Sequence, residues 1–249
     1  MRHLENAPII EAIIDLKINP LSEDRLKDIS LLADKFSNDF PHKEELIKGQ
    51  MFFEISANSA SKQVSNQKIG YRLLNHEKNK VLQITLEGFT FSLLPPYTYW
   101  KEFSQEAKII WNAYVTALKI ENLIRIAVRY INHLEIPLDG NDNLNEYLRI
   151  LPTLQSFSNH KVSGMFMQIQ MPQEDIDPTC MLIINEVLEP NMKPDHLAVK
   201  LDFDLFCYRP DNPWATDENE IWKLLEQLRQ RKNEVFEASI TDKTLEMLK

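Results

Sequence analysis

Period-two alternation constrains this chain more than any other feature. In the opening stretch Ile10, Ala12, Ile14, Leu16 and Ile18 share one edge, while Glu11, Asp15 and Lys17 share the other. Successive side chains of a strand point to opposite faces, so the stretch predicts a strand buried on one side and wet on the other. Residues 123–136 repeat the pattern. Ile124, Ile126, Val128, Tyr130, Leu134 and Ile136 form the apolar edge, with Arg125, Arg129, His133 and Glu135 opposite. A third example sets Leu197, Val199, Leu201, Phe203 and Leu205 against Lys200, Asp202 and Asp204. Long half-wet strands suit an open antiparallel sheet with one face covered.

Between these strands the spacing changes to that of helices. Leu26, Ile29, Leu32, Ala33, Phe36 and Phe40 predict a helix that Ser22 would cap and Pro41 would end. Strand-like runs follow at 51–56, 69–75 and 81–94, the last with a bulge expected near Gly88. Trp100, Phe103, Ala107, Ile110, Trp111, Tyr114 and Leu118 then form the stripe of an amphipathic helix. After the strand at 123–136 the order recurs: a short helix at 144–151, strands near 162–171, 181–188 and 197–208, and a last helix. That helix starts at Thr216, Asp217 and Glu218 and carries Ile221, Leu224, Leu225, Leu228, Val235 and Phe236.

Two β-α-β-β-β-α halves, 1–120 and 121–249, are therefore expected. They would form one compact α+β unit with a shared antiparallel sheet, helices on one face and a saddle or helix-grip outline. The "Asn-Pro-Leu" that ends the first strand and the "Ile-Pro-Leu" that ends its counterpart support an internal duplication, with a one-residue bulge needed to match faces.

Composition narrows function mainly by exclusion. The net charge of −9 works against non-specific binding to nucleic acid, itself a polyanion. The modest basic run at 229–232 reads as a solvated helix face. Apolar runs such as 181–184 fall far short of a membrane span, and the start has no basic-then-apolar leader, so a soluble, cytoplasmic protein is expected. Five scattered glycines provide no phosphate-cradling loop, so no nucleotide cofactor is expected. Cys180 and Cys207 lie in apolar runs and read as small buried hydrophobes rather than a disulfide or zinc site. His133 with Glu135, and Asp202 with Asp204, share strand faces as metal-ligand pairs would, but solvated or ion-paired strand residues look the same.

Three stretches carry a resemblance: "NAPIIEAIIDLKI" at 6–18, "RIAVRYINHLEIP" at 125–137 and "RKNEVFEASITDK" at 231–243. Together they resemble a sporadically distributed, functionally uncharacterised bacterial family of about this length, which opens with an Ala-Pro-Ile-x-Glu-Ala strand. The resemblance spans the chain in order and implies no catalytic residues. The family's patchy distribution associates it with phage defence and mobile elements. One departure stands out: where the family pattern leads us to expect a histidine upstream of the Lys-Asn pair, this chain has Leu228-Arg229-Gln230.

The candidate site is the polar sheet face. A pseudo-twofold between the halves would bring Glu11 and Asp15 of the first strand to Arg125, Arg129 and His133 of its counterpart. Cross-strand ion pairing is one outcome there. A face on which arginines hold a small anionic ligand or a protein partner is another, and acid–base chemistry by Glu11, Asp15 or His133 a third. The aromatics Tyr97, Tyr99, Trp100 and Trp214 either staple helix starts to the core or form a partner site. The expected function is a non-enzymatic binding or regulatory module, with an enzyme built on the polar face as the alternative.

Overall fold

The computed structural model describes residues 6–56, 59–137, 144–152, 164–190, 195–216 and 218–249. The chain runs through β1 (Ile9–Lys17), a single 3-10 turn and α1 (Leu26–Lys35) into an antiparallel meander. The meander consists of β2 (His42–Ser56), β3 (Ser59–Leu74), β4 (Lys80–Thr85) and β5 (Gly88–Leu93), and α2 (Trp100–Leu118) follows. Next come β6 (Asn122–Leu123), β7 (Arg125–Pro137), β8 (Met165–Pro172), β9 (Cys180–Pro190), β10 (His196–Tyr208) and β11 (Trp214–Ala215). The chain closes with α3 (Glu218–Ser239) and α4 (Asp242–Met247).

The result is an α+β fold built on a nine-stranded sheet in the order β2-β3-β4-β5-β1-β7-β10-β9-β8, with every pairing antiparallel. The first strands of the two expected halves, β1 and β7, lie side by side at its centre, with Ile14 opposite Val128. β2 and β3 pair along their whole length, yet only Gly70–Leu74 of β3 reach β4, so the far part of this hairpin extends beyond the sheet.

One sheet face carries Ala12, Ile14, Leu16, Phe89, Phe91, Val128, Tyr130, Phe203 and Leu205, all buried in a single apolar cluster with the helices. α2 covers one side of that face: Phe103 stacks on Phe91, and Trp111 packs between Phe89 and Tyr114. α3 covers the other side through Phe236, set edge-on to Phe203. The buried Tyr114 hydroxyl also donates to the Thr85 carbonyl at 3.0 Å, tying α2 to the β4–β5 turn. Tyr114→Phe should therefore lower stability by about 1–2 kcal/mol, the net cost of a lost buried hydrogen bond, read from its urea midpoint.

Several sequence expectations are corrected. The single run at 81–94 is a hairpin, because the expected bulge near Gly88 is a turn between β4 and β5. Gly88 has φ +141°, and a Cβ there would run into the Leu16 carbonyl oxygen of β1. The helix at 144–151 is only a three-residue 3-10 turn, Leu144–Glu146. Ile10 is exposed rather than on the buried edge. A bulge between Ile9 and Glu11 shifts the register and turns Ile9 toward the helices. Cys180 and Cys207 sit directly opposite each other on β9 and β10, buried and joined as a disulfide. Two cysteines 27 residues apart gave no cue to that register. Val162 and Asp217, named in the expected strand and helix start, lie outside the described residues.

Candidate functional site

On the polar sheet face the structure brings Asp15 and Arg125 together. The Arg125 guanidinium bonds Asp15 on one side and both oxygens of Asp204 at 3.1 Å on the other, with Phe206 beneath it. Thr90 and Lys17 complete the shell of Asp15, at 2.6 Å and 2.9 Å. Arg129 forms a two-pronged bond with Asp202, which also takes the Asn185 amide. That bond holds the Arg129 pKa above its ordinary value, and Glu11 adds to the same field. Burial pushes the Asp204 carboxyl up, against the pull of Arg125 and Arg129. Glu11 pairs across from Ile131 and His133 from Lys200, so both lie along this face. The partners of the two arginines include Asp202 and Asp204, which the sequence offered as metal ligands. Among the described residues no group of three or more His, Cys, Asp or Glu could hold a metal ion.

The opposite face contains a different site. A cavity of about 680 Å³ lies where the N-terminal segment, the 95–100 segment, β7, α3 and Leu245 meet. Its floor is Tyr130, Asn132, Lys232 and Asn233, all buried; its rim includes Tyr99 and Glu237, both exposed. The β1 bulge turns Ile9 into the wall and pairs it with Asn132. Tyr97 stands edge-on to Tyr130 with the two hydroxyls 3.2 Å apart, and Trp100 packs on Phe103 beside them. Tyr97 and Trp100 therefore staple the start of α2, as one sequence reading had it, and wall the cavity as well. Burial pushes both tyrosine hydroxyls above their ordinary pKa. Asn132 donates its amide to the Leu201 carbonyl at 3.1 Å.

Lys232 is the chemically unusual member. Its side chain is 7% exposed, and its ammonium lies 3.9 Å from the centroid of the Tyr130 ring. No carboxylate pairs with it and no hydrogen bond holds it among the described residues. Burial pushes its pKa down to about 7, and the neighbouring Arg229 pushes in the same direction. The reading of the 229–232 run as a solvated face is thus corrected at Lys232. The position continues the apolar stripe of α3, four residues after Leu228 and four before Phe236, so helical period places it inward. Arg229, the residue after Leu228, also lines the cavity and pairs with Glu226 at 2.7 Å.

Each of the three stretches that carry the family resemblance supplies residues to this cavity: Ala7, Pro8 and Ile9; Tyr130 and Asn132; Lys232, Asn233 and Phe236. Asn132 interrupts an apolar strand edge much as Lys232 interrupts an apolar helix stripe. Those two interruptions were the available sequence signal, and periodicity alone passed over them. A third interruption, Glu186 on β9, faces the helices opposite Leu201. It is 1% exposed, one carboxyl oxygen has no hydrogen-bond partner among the described residues, and burial pushes its pKa up to about 7. It is not among the residues lining the cavity.

No family model, curated protein or solved structure matches this chain. No helix among the described residues is long and apolar enough to cross a membrane.

Proposed function

We propose that the protein is a binding module for a small, flat organic molecule, with the 680 Å³ cavity as its site. One observation carries this reading: a buried lysine with no carboxylate partner faces a cavity walled by aromatic rings. Burying an amine without an anion costs stability, and such groups concentrate where a ligand completes them. Tyr97, Trp100 and Phe236 offer apolar walls for a ring, while Lys232 and Asn132 offer polar contacts for a single head group. Membership of the family resembled by the three stretches is part of the proposal, supported by their convergence on one cavity.

The test is binding of 8-anilinonaphthalene-1-sulfonate, an aromatic anion of suitable size. One bound molecule per chain is expected, with Lys232→Met weakening it about tenfold, the worth of one charge-assisted contact. Binding at many sites, or binding indifferent to Lys232→Met, would contradict the reading.

A second reading keeps the charged sheet face as an anion- or peptide-binding surface or an acid–base site. It is favoured by Arg129, whose side chain is 43% exposed despite its bond to Asp202. We also infer that residues 1–120 and 121–249 descend from one duplicated unit with a saddle-like outline. The strand order supports this: β1 and β7 are central, each flanked outward by the last sheet strand of its own half, with the others following in reverse order.

A further inference from the structure

We propose that Lys232 is a covalent anchor: its amine condenses with the carbonyl of an aldehyde- or ketone-bearing ligand held in the cavity. This rests on the binding reading above and names the ligand class.

Geometry separates a nucleophilic amine from a simple anion-binding cation. Arg229, the other cation lining the cavity among the described residues, already has its carboxylate in Glu226, so it offers an incoming anion little free charge. Among the described residues the only carboxylate lining the cavity is Glu237, exposed at the rim and five residues beyond Lys232 on α3. Around Nζ lie the Tyr130 ring, with Phe236 and the 95–97 segment among the cavity walls. The Tyr130 ring face attracts the ammonium, but burial with no anion beside it outweighs that pull and favours the uncharged amine, the form that attacks a carbonyl. Among the described residues the titratable groups lining the cavity with it are Arg229 and Glu237 on its own helix, Tyr130 on β7, and Tyr97 and Tyr99 before α2. Arg229 and the apolar shell both act against protonation of Lys232.

The step balances without any further reagent. The Nζ lone pair adds to the carbonyl carbon, and a proton passes from nitrogen to the carbonyl oxygen. The resulting carbinolamine loses one water, leaving a C=N bond between ligand and lysine. The hydrogen-bonded Tyr97–Tyr130 hydroxyl pair stands at the cavity as a proton relay for that loss.

The experiment treats the full chain with 4-hydroxybenzaldehyde and sodium cyanoborohydride, which reduces an imine to a stable amine. Intact mass and peptide mapping locate the adduct. At pH 7 a surface lysine is uncharged in only about one molecule in 2,500, so Lys232 should label at least about tenfold faster than any other lysine. Its rate should be half-maximal near pH 7, and prior addition of 8-anilinonaphthalene-1-sulfonate should slow Lys232 alone. In Lys232→Met the fast adduct should disappear, with circular dichroism confirming the fold. Labelling spread over surface lysines, or a Lys232 rate that rises only above pH 9, overturns the covalent proposal. If the sulfonate still binds once per chain in that event, the binding reading stands. If neither probe engages the cavity, both fall.

Discussion

Lys232→Met is expected to make the protein more stable at pH 7, by about 1–3 kcal/mol in urea unfolding. An unpaired buried lysine is held in the folded state at a cost. Its pKa falls from 10.5 to about 7 on burial, and each tenfold change in proton affinity is about 1.4 kcal/mol, so the upper bound is on the order of 4 kcal/mol. Loss of the ammonium–ring contact with Tyr130 offsets about 0.5–2 kcal/mol of the gain. The sign of the pH dependence follows from the same shift. Between pH 7 and 10.5 the unfolded chain holds a proton that the folded chain has released, so the natural protein gains stability as pH rises through that window. Below pH 7 both states are protonated and the penalty is full and constant. The methionine variant should lack the rise above pH 7. A variant both more stable and weaker in binding is the mark of a residue kept for a ligand rather than for the fold.

Arg125→Met is expected to act in the opposite direction, lowering stability at pH 7 by about 2–4 kcal/mol. The guanidinium sits between Asp15 and Asp204, whose side chains are 13% and 20% exposed, and its removal leaves two carboxylates facing each other without a cation between them. Breaking a buried pair costs more than the pair is worth intact, because the remaining charge stays desolvated. Burial already holds the Asp204 carboxyl above its ordinary pKa, and Arg125 is the strongest pull against that shift. In the variant the Asp204 pKa should rise further above its unfolded value. Such a carboxyl destabilises the folded state at neutral pH and ceases to do so once protonated. The deficit of Arg125→Met should therefore be largest at neutral pH and shrink as the solution is acidified. Adding Asp15→Asn to Arg125→Met should recover part of the loss.

The sheet was legible in the sequence because half-wet strands announce their faces. Leu16, Val128 and Leu205 all sit on the expected side, and the α2 stripe from Phe103 to Leu118 is buried as its spacing required. Meeting of Asp15 with Arg125 was also anticipated, since both mark the polar edge of neighbouring strands. What period could not show was strand count and register. The strand-like run at 81–94 shows a break near Gly88 but not that Leu86 and Glu87 form a turn, and the one-residue bulge that turns Ile9 inward leaves no compositional trace. The cavity escaped for a different reason. Its lining comes from five separate segments, and the two polar residues that mark it, Asn132 and Lys232, look like tolerated exceptions on otherwise apolar edges. Charge type also misled: Lys232 lies within a basic run, and only its spacing from Leu228 and Phe236 distinguishes it from its solvated neighbours.

A titration of the full chain carrying [13C]lysine, followed by NMR at the ε-carbon, tests directly whether Lys232 is a buried amine poised to be uncharged at neutral pH in the cavity. One resonance should titrate near pH 7, be absent from Lys232→Met, and be the lysine signal most displaced by 8-anilinonaphthalene-1-sulfonate. If every lysine resonance instead titrates above pH 9, Lys232 is an ordinary solvated cation and the account is wrong.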